Sequence, residues 1–96
     1  MSNVNITRHD FEQLKDPTGI LSGERYEFVI HFEVEEDDEL FSENGLYIKL
    51  IFAVEGEETR IAQYQLFENI TNKQLDFELE DEELQTFHDF CRQNVQ

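Results

Sequence analysis

Apolar and polar residues alternate in two long blocks of this chain. Every second residue is apolar across residues 26–34, and the same pattern recurs across residues 46–54. Because successive side chains of a β-strand point to opposite faces, this period of two is typical of a strand buried on one face. The two blocks therefore predict two long strands that share one apolar face of a sheet.

Two later segments extend the predicted sheet. A glycine-containing turn at residues 55–58 favours a tight hairpin into a further strand across residues 59–67. A turn at residues 68–73 then leads to a short last strand across residues 75–79. In the strand at 59–67 we expect Ala62, Tyr64 and Leu66 on one face and Ile61, Gln63, Gln65 and Phe67 on the other.

The N-terminal residues predict one more strand, the first in chain order. The spacing of its apolar residues indicates a break or bulge at residues 8–10, and turn residues at 16–19 end it. Its apolar residues are Val4, Ile6, Phe11 and Leu14.

From residue 81 the apolar period changes to that of a helix. Acidic residues crowd the first turn and Arg92 lies near the end, a charge order that suits the helix macrodipole. One stripe of this helix holds Leu84, Phe87, His88, Cys91 and Val95. Together the elements predict an α+β fold in a single domain, residues 1–96: an antiparallel meander sheet of about five strands with one C-terminal helix packed on one face.

The sheet face opposite the helix has a mixed composition. Its residues in the two long central strands are Glu27, Val29, His31, Glu33, Tyr47, Lys49, Ile51 and Ala53. A fully solvated face would be more polar, so we expect something to cover part of it. The candidates are the segment at residues 11–21, a second copy of the chain, and curvature of the sheet toward a half-barrel.

Charge changes this picture. The chain has 96 residues and carries 23 acidic side chains against 7 Lys and Arg, a formal net charge of −16. Nucleic-acid-binding proteins neutralise phosphates with clustered cations, whereas the cations here are scattered among acids, so we expect no nucleic-acid partner.

No apolar run approaches the roughly 20 residues of a membrane span, and no signal-peptide core follows Met1. We therefore expect a soluble, cytoplasmic protein with no membrane partner.

Few residues carry the groups that catalysis or metal binding needs. The only thiol is Cys91, one helical turn from His88 on the apolar stripe, where a buried and unreactive cysteine is expected. The acidic run at residues 35–39 lacks the ligand spacing and glycine of a calcium-binding loop. We therefore predict no catalytic residue, no bound metal, no cofactor and no enzymatic activity.

Two stretches, DPTGILSGERYEF at residues 16–28 and IAQY at residues 61–64, resemble a small acidic family of uncharacterised proteins from Bacillus-type bacteria. The resemblance implies a cytoplasmic bacterial protein in a family of unknown function, and it supplies no catalytic residue. Automated annotation sometimes attaches a pullulanase label to such proteins. This chain lacks the size and the active-site motifs that such a hydrolase needs.

The leading hypothesis is a non-enzymatic protein-binding or adaptor module that recognises a basic protein surface or a second copy of itself. It rests on the excess negative charge and on the lack of a catalytic constellation in the sequence. The alternative is an accessory enzyme subunit or a small-ligand carrier with a cavity between sheet and helix. The candidate partner-binding residues are Glu35, Glu36, Asp37, Asp38 and Glu39 in the acidic run, Ile20 and Leu21 before the second strand, and Tyr47 and Ile51 on the mixed face.

Overall fold

The two alternating blocks form neighbouring strands in the middle of one sheet. The computed structural model describes residues 4–14 and 23–95. The elements are β1 (Asn5–Leu14), β2 (Glu24–Glu33), β3 (Leu46–Glu55), β4 (Glu58–Glu68), β5 (Gln74–Leu75) and α1 (Asp81–Val95). The strands lie in chain order, and each pairs antiparallel with the next. This confirms the predicted α+β fold, an open five-stranded antiparallel sheet with one C-terminal helix.

The helix covers the apolar face that β2 and β3 share. Phe87 and Cys91 of α1 are fully buried there, and the Phe87 ring meets the Phe32 ring edge-on with 5.1 Å between centroids. The side chains that β2 and β3 contribute to the core are Phe28, Ile30, Phe32, Leu46, Ile48, Leu50 and Phe52. Burial of this apolar surface is the main stabilising term of a domain this small.

Strand β1 contains the predicted irregularity, one residue earlier than expected. The pairing with β2 skips Thr7, between Ile6 and Arg8. Beyond this bulge, His9 and Phe11 lie on the helix side, and the Phe11 ring stacks on the Phe28 ring with 4.7 Å between centroids. Residues 11–14 are therefore part of the sheet and do not cover its far face, and the remaining residues of the proposed cover, including Ile20 and Leu21, lie outside the described residues.

Strand β4 differs from its predicted division of faces. Gln63 pairs with Ile51 and Ile61 pairs with Phe52, so Ala62 is an extra residue in the ladder. Because a bulge shifts the alternation by one, Ile61 joins the helix side and Ala62 is exposed. The prediction placed these two residues on the wrong faces.

The last strand is shorter than predicted. It consists of Gln74–Leu75, which pairs only with Phe67 and Leu66 of β4. The chain then leaves the sheet, and the backbone N–H of Leu79 donates a hydrogen bond to the Tyr64 hydroxyl at 3.0 Å. Most of the β4 outer edge therefore has no neighbouring strand among the described residues.

The start of α1 is fixed by a carboxylate. Glu83 is buried, and its side chain accepts a hydrogen bond from the backbone N–H of Glu80 at 2.9 Å. The C=O of Glu80 accepts the first helical bond, from Leu84, so Glu80 is the N-cap and Glu83 supplies half of a capping box. Among the described residues, no helix has the length and apolar character to cross a membrane.

Candidate functional site

The sheet divides the surface into two sides of very different charge. We call the side of β1 to β4 that faces away from α1 the open face. Strand pairing places four cations and six carboxylates on it, a net charge of −2. These residues are Arg8, Arg25, Lys49 and Arg60, and Asp10, Glu12, Glu27, Glu33, Glu55 and Glu58. The rest of the described chain holds sixteen acids and only Lys73 and Arg92, a net charge of −14.

A shallow groove of about 460 Å³ runs between the outer edge of β4 and the first half of α1. We call it the β4–α1 groove. Its floor is apolar and half-buried, and is formed by Ile61, Tyr64 and Leu84. Exposed polar side chains, including Asp81 and Gln85, form its rim. The groove lies on the strongly acidic side of the molecule.

One wall of this groove is the unpaired edge of β4. An edge strand points alternate backbone N–H and C=O groups away from its neighbour, which makes it a template for another strand. Here β5 occupies the edge only beside Leu66 and Phe67. The stretch at residues 60–65, which includes the bulge at Ala62, has no strand on its outer side within the described parts of the chain.

His88 closes one end of the groove. Its Nε2 lies 2.8 Å from the Thr59 hydroxyl and 3.2 Å from the Thr59 carbonyl oxygen, and its Nδ1 lies 3.3 Å from an Asp89 carboxylate oxygen. Gln85 donates a hydrogen bond to the Asp89 carboxylate, which, with the His88 contact, lowers the pKa of Asp89. None of the hydrogen bonds among the described residues joins His88 to Cys91. The His88 side chain therefore links α1 to the start of β4 through its contacts with Thr59.

The thiol of Cys91 is fully buried, as expected. Burial raises its pKa to about 12, so only about one part in ten thousand is thiolate at pH 8. We predict that a disulfide reagent reacts with the native protein at least about a hundredfold more slowly than with the protein unfolded in urea. Absorbance of the released thiol measures both rates, and rapid stoichiometric labelling of the native protein would contradict the prediction.

The open face carries a row of rings at one end. The His31 and Tyr47 ring centroids are 5.3 Å apart, the Tyr47 and Phe67 rings stack at 5.0 Å, and the Lys49 Nζ lies 5.8 Å from the Phe67 centroid. Burial, followed by the charge of Arg8, lowers the pKa of His31 below its usual 6.5. The lowered pKa favours the neutral form of the His31 ring, and the three rings present a half-buried surface.

The turn after β4 holds this row in place. Asn69 Oδ1 lies 3.1 Å from His31 Nδ1, and the Tyr47 hydroxyl donates to Asn72 Oδ1 at 2.9 Å. Ile70, between them, has φ of 73° and is 79% exposed. A β-branched residue is strained at positive φ, so these side-chain hydrogen bonds help to stabilise a costly turn.

The predicted acidic run at residues 35–39 is part of an ordered loop. Leu40 is buried in the core, and its backbone N–H donates to the Asp38 carboxylate at 2.9 Å. The Asp38 carboxylate therefore has a structural role, whereas Glu36, Asp37 and Glu39 are exposed. Ser42 of the same loop donates a hydrogen bond to Glu68, which places the loop at the opposite end of β4 from the groove.

Of the other predicted candidates, Tyr47 and Ile51 lie on the open face and are half-buried. Neither residue lines the β4–α1 groove. The residues of the β4–α1 groove, Ile61, Tyr64, Leu84 and Gln85, were missed. The apolar residues on both faces of β4 and the shortness of the last strand were the available signals. No group of three His, Cys, Asp or Glu side chains in the described ranges is arranged to hold a metal ion.

Comparison with known proteins gives one match. No curated protein and no solved structure matches the chain significantly. A family of unknown function (DUF6509) matches over residues 4–96. Because this match covers nearly the whole sequence, the chain belongs to the DUF6509 family.

Proposed function

We propose that the protein is a cytoplasmic, non-enzymatic binding module that holds a short, extended, basic segment of another protein in the β4–α1 groove. The observation that carries the proposal is the unpaired β4 edge beside an apolar groove on the acidic side of the molecule. Proteins commonly bind extended peptides by adding a strand to such an edge.

The bound segment adds a strand to the β4 edge, in line with β5. Along residues 60–65 there is room for a strand of about six residues, about 20 Å long. Its backbone hydrogen-bonds to the β4 edge. Because side chains alternate along a strand, every second one points toward the floor formed by Ile61, Tyr64 and Leu84. This arrangement selects apolar residues at alternate positions of the partner.

Charge selects the remaining positions. Asp81 lines the groove, and its neighbours Glu80 and Glu82 are exposed. The described chain outside the open face has a net charge of −14, which attracts Lys and Arg residues and accelerates their encounter with the groove. Arg60 is the one groove-lining cation, and it also belongs to the open face. Because salt screens the attraction between the acidic protein and a basic segment, binding weakens as salt rises.

The ligand-carrier alternative has less support. A carrier needs a cavity between sheet and helix, and the fully buried rings of Phe28, Phe52 and Phe87 fill that space. The groove itself is open to solvent along the β4 edge, which suits a peptide better than an enclosed small molecule.

Two synthetic peptides test this proposal. A fluorescent six-residue peptide of alternating Lys and Val is expected to bind with an affinity that falls as NaCl rises, and a Glu–Val peptide of the same length is not. Fluorescence anisotropy measures both. Equal binding of the two peptides, or no binding of either, would overturn the proposal.

A matched pair of variants locates the site. Gln85→Arg places a cation on the groove rim and is expected to weaken binding of the Lys–Val peptide about tenfold, or about 1.4 kcal/mol. Gln93→Arg makes the same charge change at an exposed position of α1 outside the groove and is expected to change the affinity less than about twofold. Equal effects would show that only net charge matters and that the groove is not the site.

A further inference from the structure

The open face differs from the rest of the surface in a way that bears on self-association. Two copies of a chain with a net charge of −16 repel each other over most of their surfaces. On the open face the four cations and six carboxylates leave a net charge of only −2. It is therefore the side on which a second copy can approach with the least repulsion.

The same face is apolar enough to be covered. Val29, Tyr47, Ile51 and Phe67 are half-buried there and form an apolar patch around Lys49, across β2, β3 and β4. Lys49 is exposed at the centre of this patch. A sheet face exposed only to water typically carries polar residues at these outward positions.

A two-fold rotation brings complementary groups of β2, β3 and β4 together, whereas in β1 it brings Asp10 near Glu12 of the second copy. The ring row of His31, Tyr47 and Phe67 lies at one end of the face, and Arg25 and Arg60 lie at the other end of the same strands. A two-fold axis in the interface, perpendicular to the strands, places each end over the opposite end of the second copy. Arg60 of one copy then faces Phe67 of the other, a cation–π pairing.

The two-fold arrangement also brings Lys49 beside Glu27 of the second copy, one strand away. Four strands about 4.8 Å apart and eight residues deep give about 500 Å² on each copy, or about 1,000 Å² in total. An interface of this size belongs to the weak, reversible class.

We infer that the open face is an interface between two copies of this chain, which stack sheet on sheet as a reversible homodimer. The acidic loop lies on another part of each copy, and the groove shares only Arg60 with the open face, so the dimer presents two β4–α1 grooves. Because both copies are acidic, moderate NaCl screens their repulsion and tightens the dimer. Peptide binding in the groove has the opposite salt dependence.

Sedimentation velocity of the full chain over a range of concentrations tests the inference. The expected result is a monomer–dimer equilibrium whose dissociation constant falls between low and moderate NaCl. A monomer at every concentration and salt level, or a dimer that dissociates as salt rises, would overturn it.

Three variants show which face is used. Val29→Glu places a carboxylate over Glu27 of the second copy and is expected to weaken the dimer at least about tenfold, whereas Gln93→Glu makes the same charge change on α1 and is expected to leave it within about twofold. Lys49→Glu provides a second test at an exposed position that does not contribute to the core. If the open-face variants weaken the dimer no more than Gln93→Glu does, the interface lies elsewhere and the inference is wrong.

Discussion

Replacement of Phe87 by alanine is expected to lower the free energy of unfolding by about 3–5 kcal/mol. Phe87 is fully buried, and its ring against Phe32 is a principal contact between α1 and the sheet. The loss combines the hydrophobic free energy of burying the ring with the cost of the cavity that the substitution leaves. A domain of 96 residues has a total stability of about 5–14 kcal/mol, so the variant loses a large fraction of it.

Urea denaturation followed by far-ultraviolet circular dichroism measures this change. Phe41→Ala is the matched control, because Phe41 is 40% exposed and undergoes the same chemical change. We expect Phe41→Ala to cost less than about 1 kcal/mol. Equal costs for the two variants would mean that α1 does not pack on the sheet through Phe87.

Gly23→Ala is expected to have the second largest effect, a loss of about 3 kcal/mol or more. Gly23 has φ of 76°, and a Cβ there would lie 2.3 Å from the carbonyl oxygen of Val54. A substitution therefore incurs both the penalty of left-handed backbone, about 1–2 kcal/mol, and a steric clash that only movement of the β3 backbone can relieve.

Gly56→Ala separates these two costs. Gly56 has φ of 63°, but no atom lies within 4 Å of the position of an added Cβ. We expect it to lose only the backbone penalty, about 1–2 kcal/mol, in the same urea experiment. Equal stability of the two glycine variants would contradict the close approach of residue 23 to β3.

The main elements of the fold follow from local pattern. The apolar period of two in β2 and β3, and its change to a helical period at residue 81, depend only on neighbouring residues. The bulges at Thr7 and Ala62 are different, because an extra residue in a ladder exists only relative to the partner strand. The spacing of apolar residues in β1 indicates its bulge to within one residue, whereas the mixed alternation of β4 does not reveal the bulge at Ala62.

The candidate site was less predictable for a similar reason. Tyr47 and Ile51 were identified because a mixed sheet face is visible in the alternation itself. The β4–α1 groove joins Ile61 and Tyr64 to Leu84, about twenty residues later, and it exists because β5 ends at Leu75. The run at residues 35–39 was conspicuous by charge, but the hydrogen bond from Leu40 to Asp38 could not be inferred from composition.

Pairing of the strands distributes the charges unevenly over the surface of the protein. In the sequence the cations are scattered among acids, whereas the alternation of β1 to β4 places Arg8, Arg25, Lys49 and Arg60 on one side. The central claim is that the acidic side takes a basic strand at the β4 edge while the nearly neutral open face meets a second copy.

The most direct test is a nitrogen-15 NMR titration of the full chain with the Lys–Val peptide. We predict amide shifts at residues 60–65 of β4 and 81–88 of α1, whereas the amides of β1 and of residues 35–39 do not change. In sedimentation velocity of the same sample, the mass remains that of the dimer with peptide bound. Shifts centred on the outer edge of β1 or on the acidic loop at 35–39, or a peptide that dissociates the dimer, would contradict the claim.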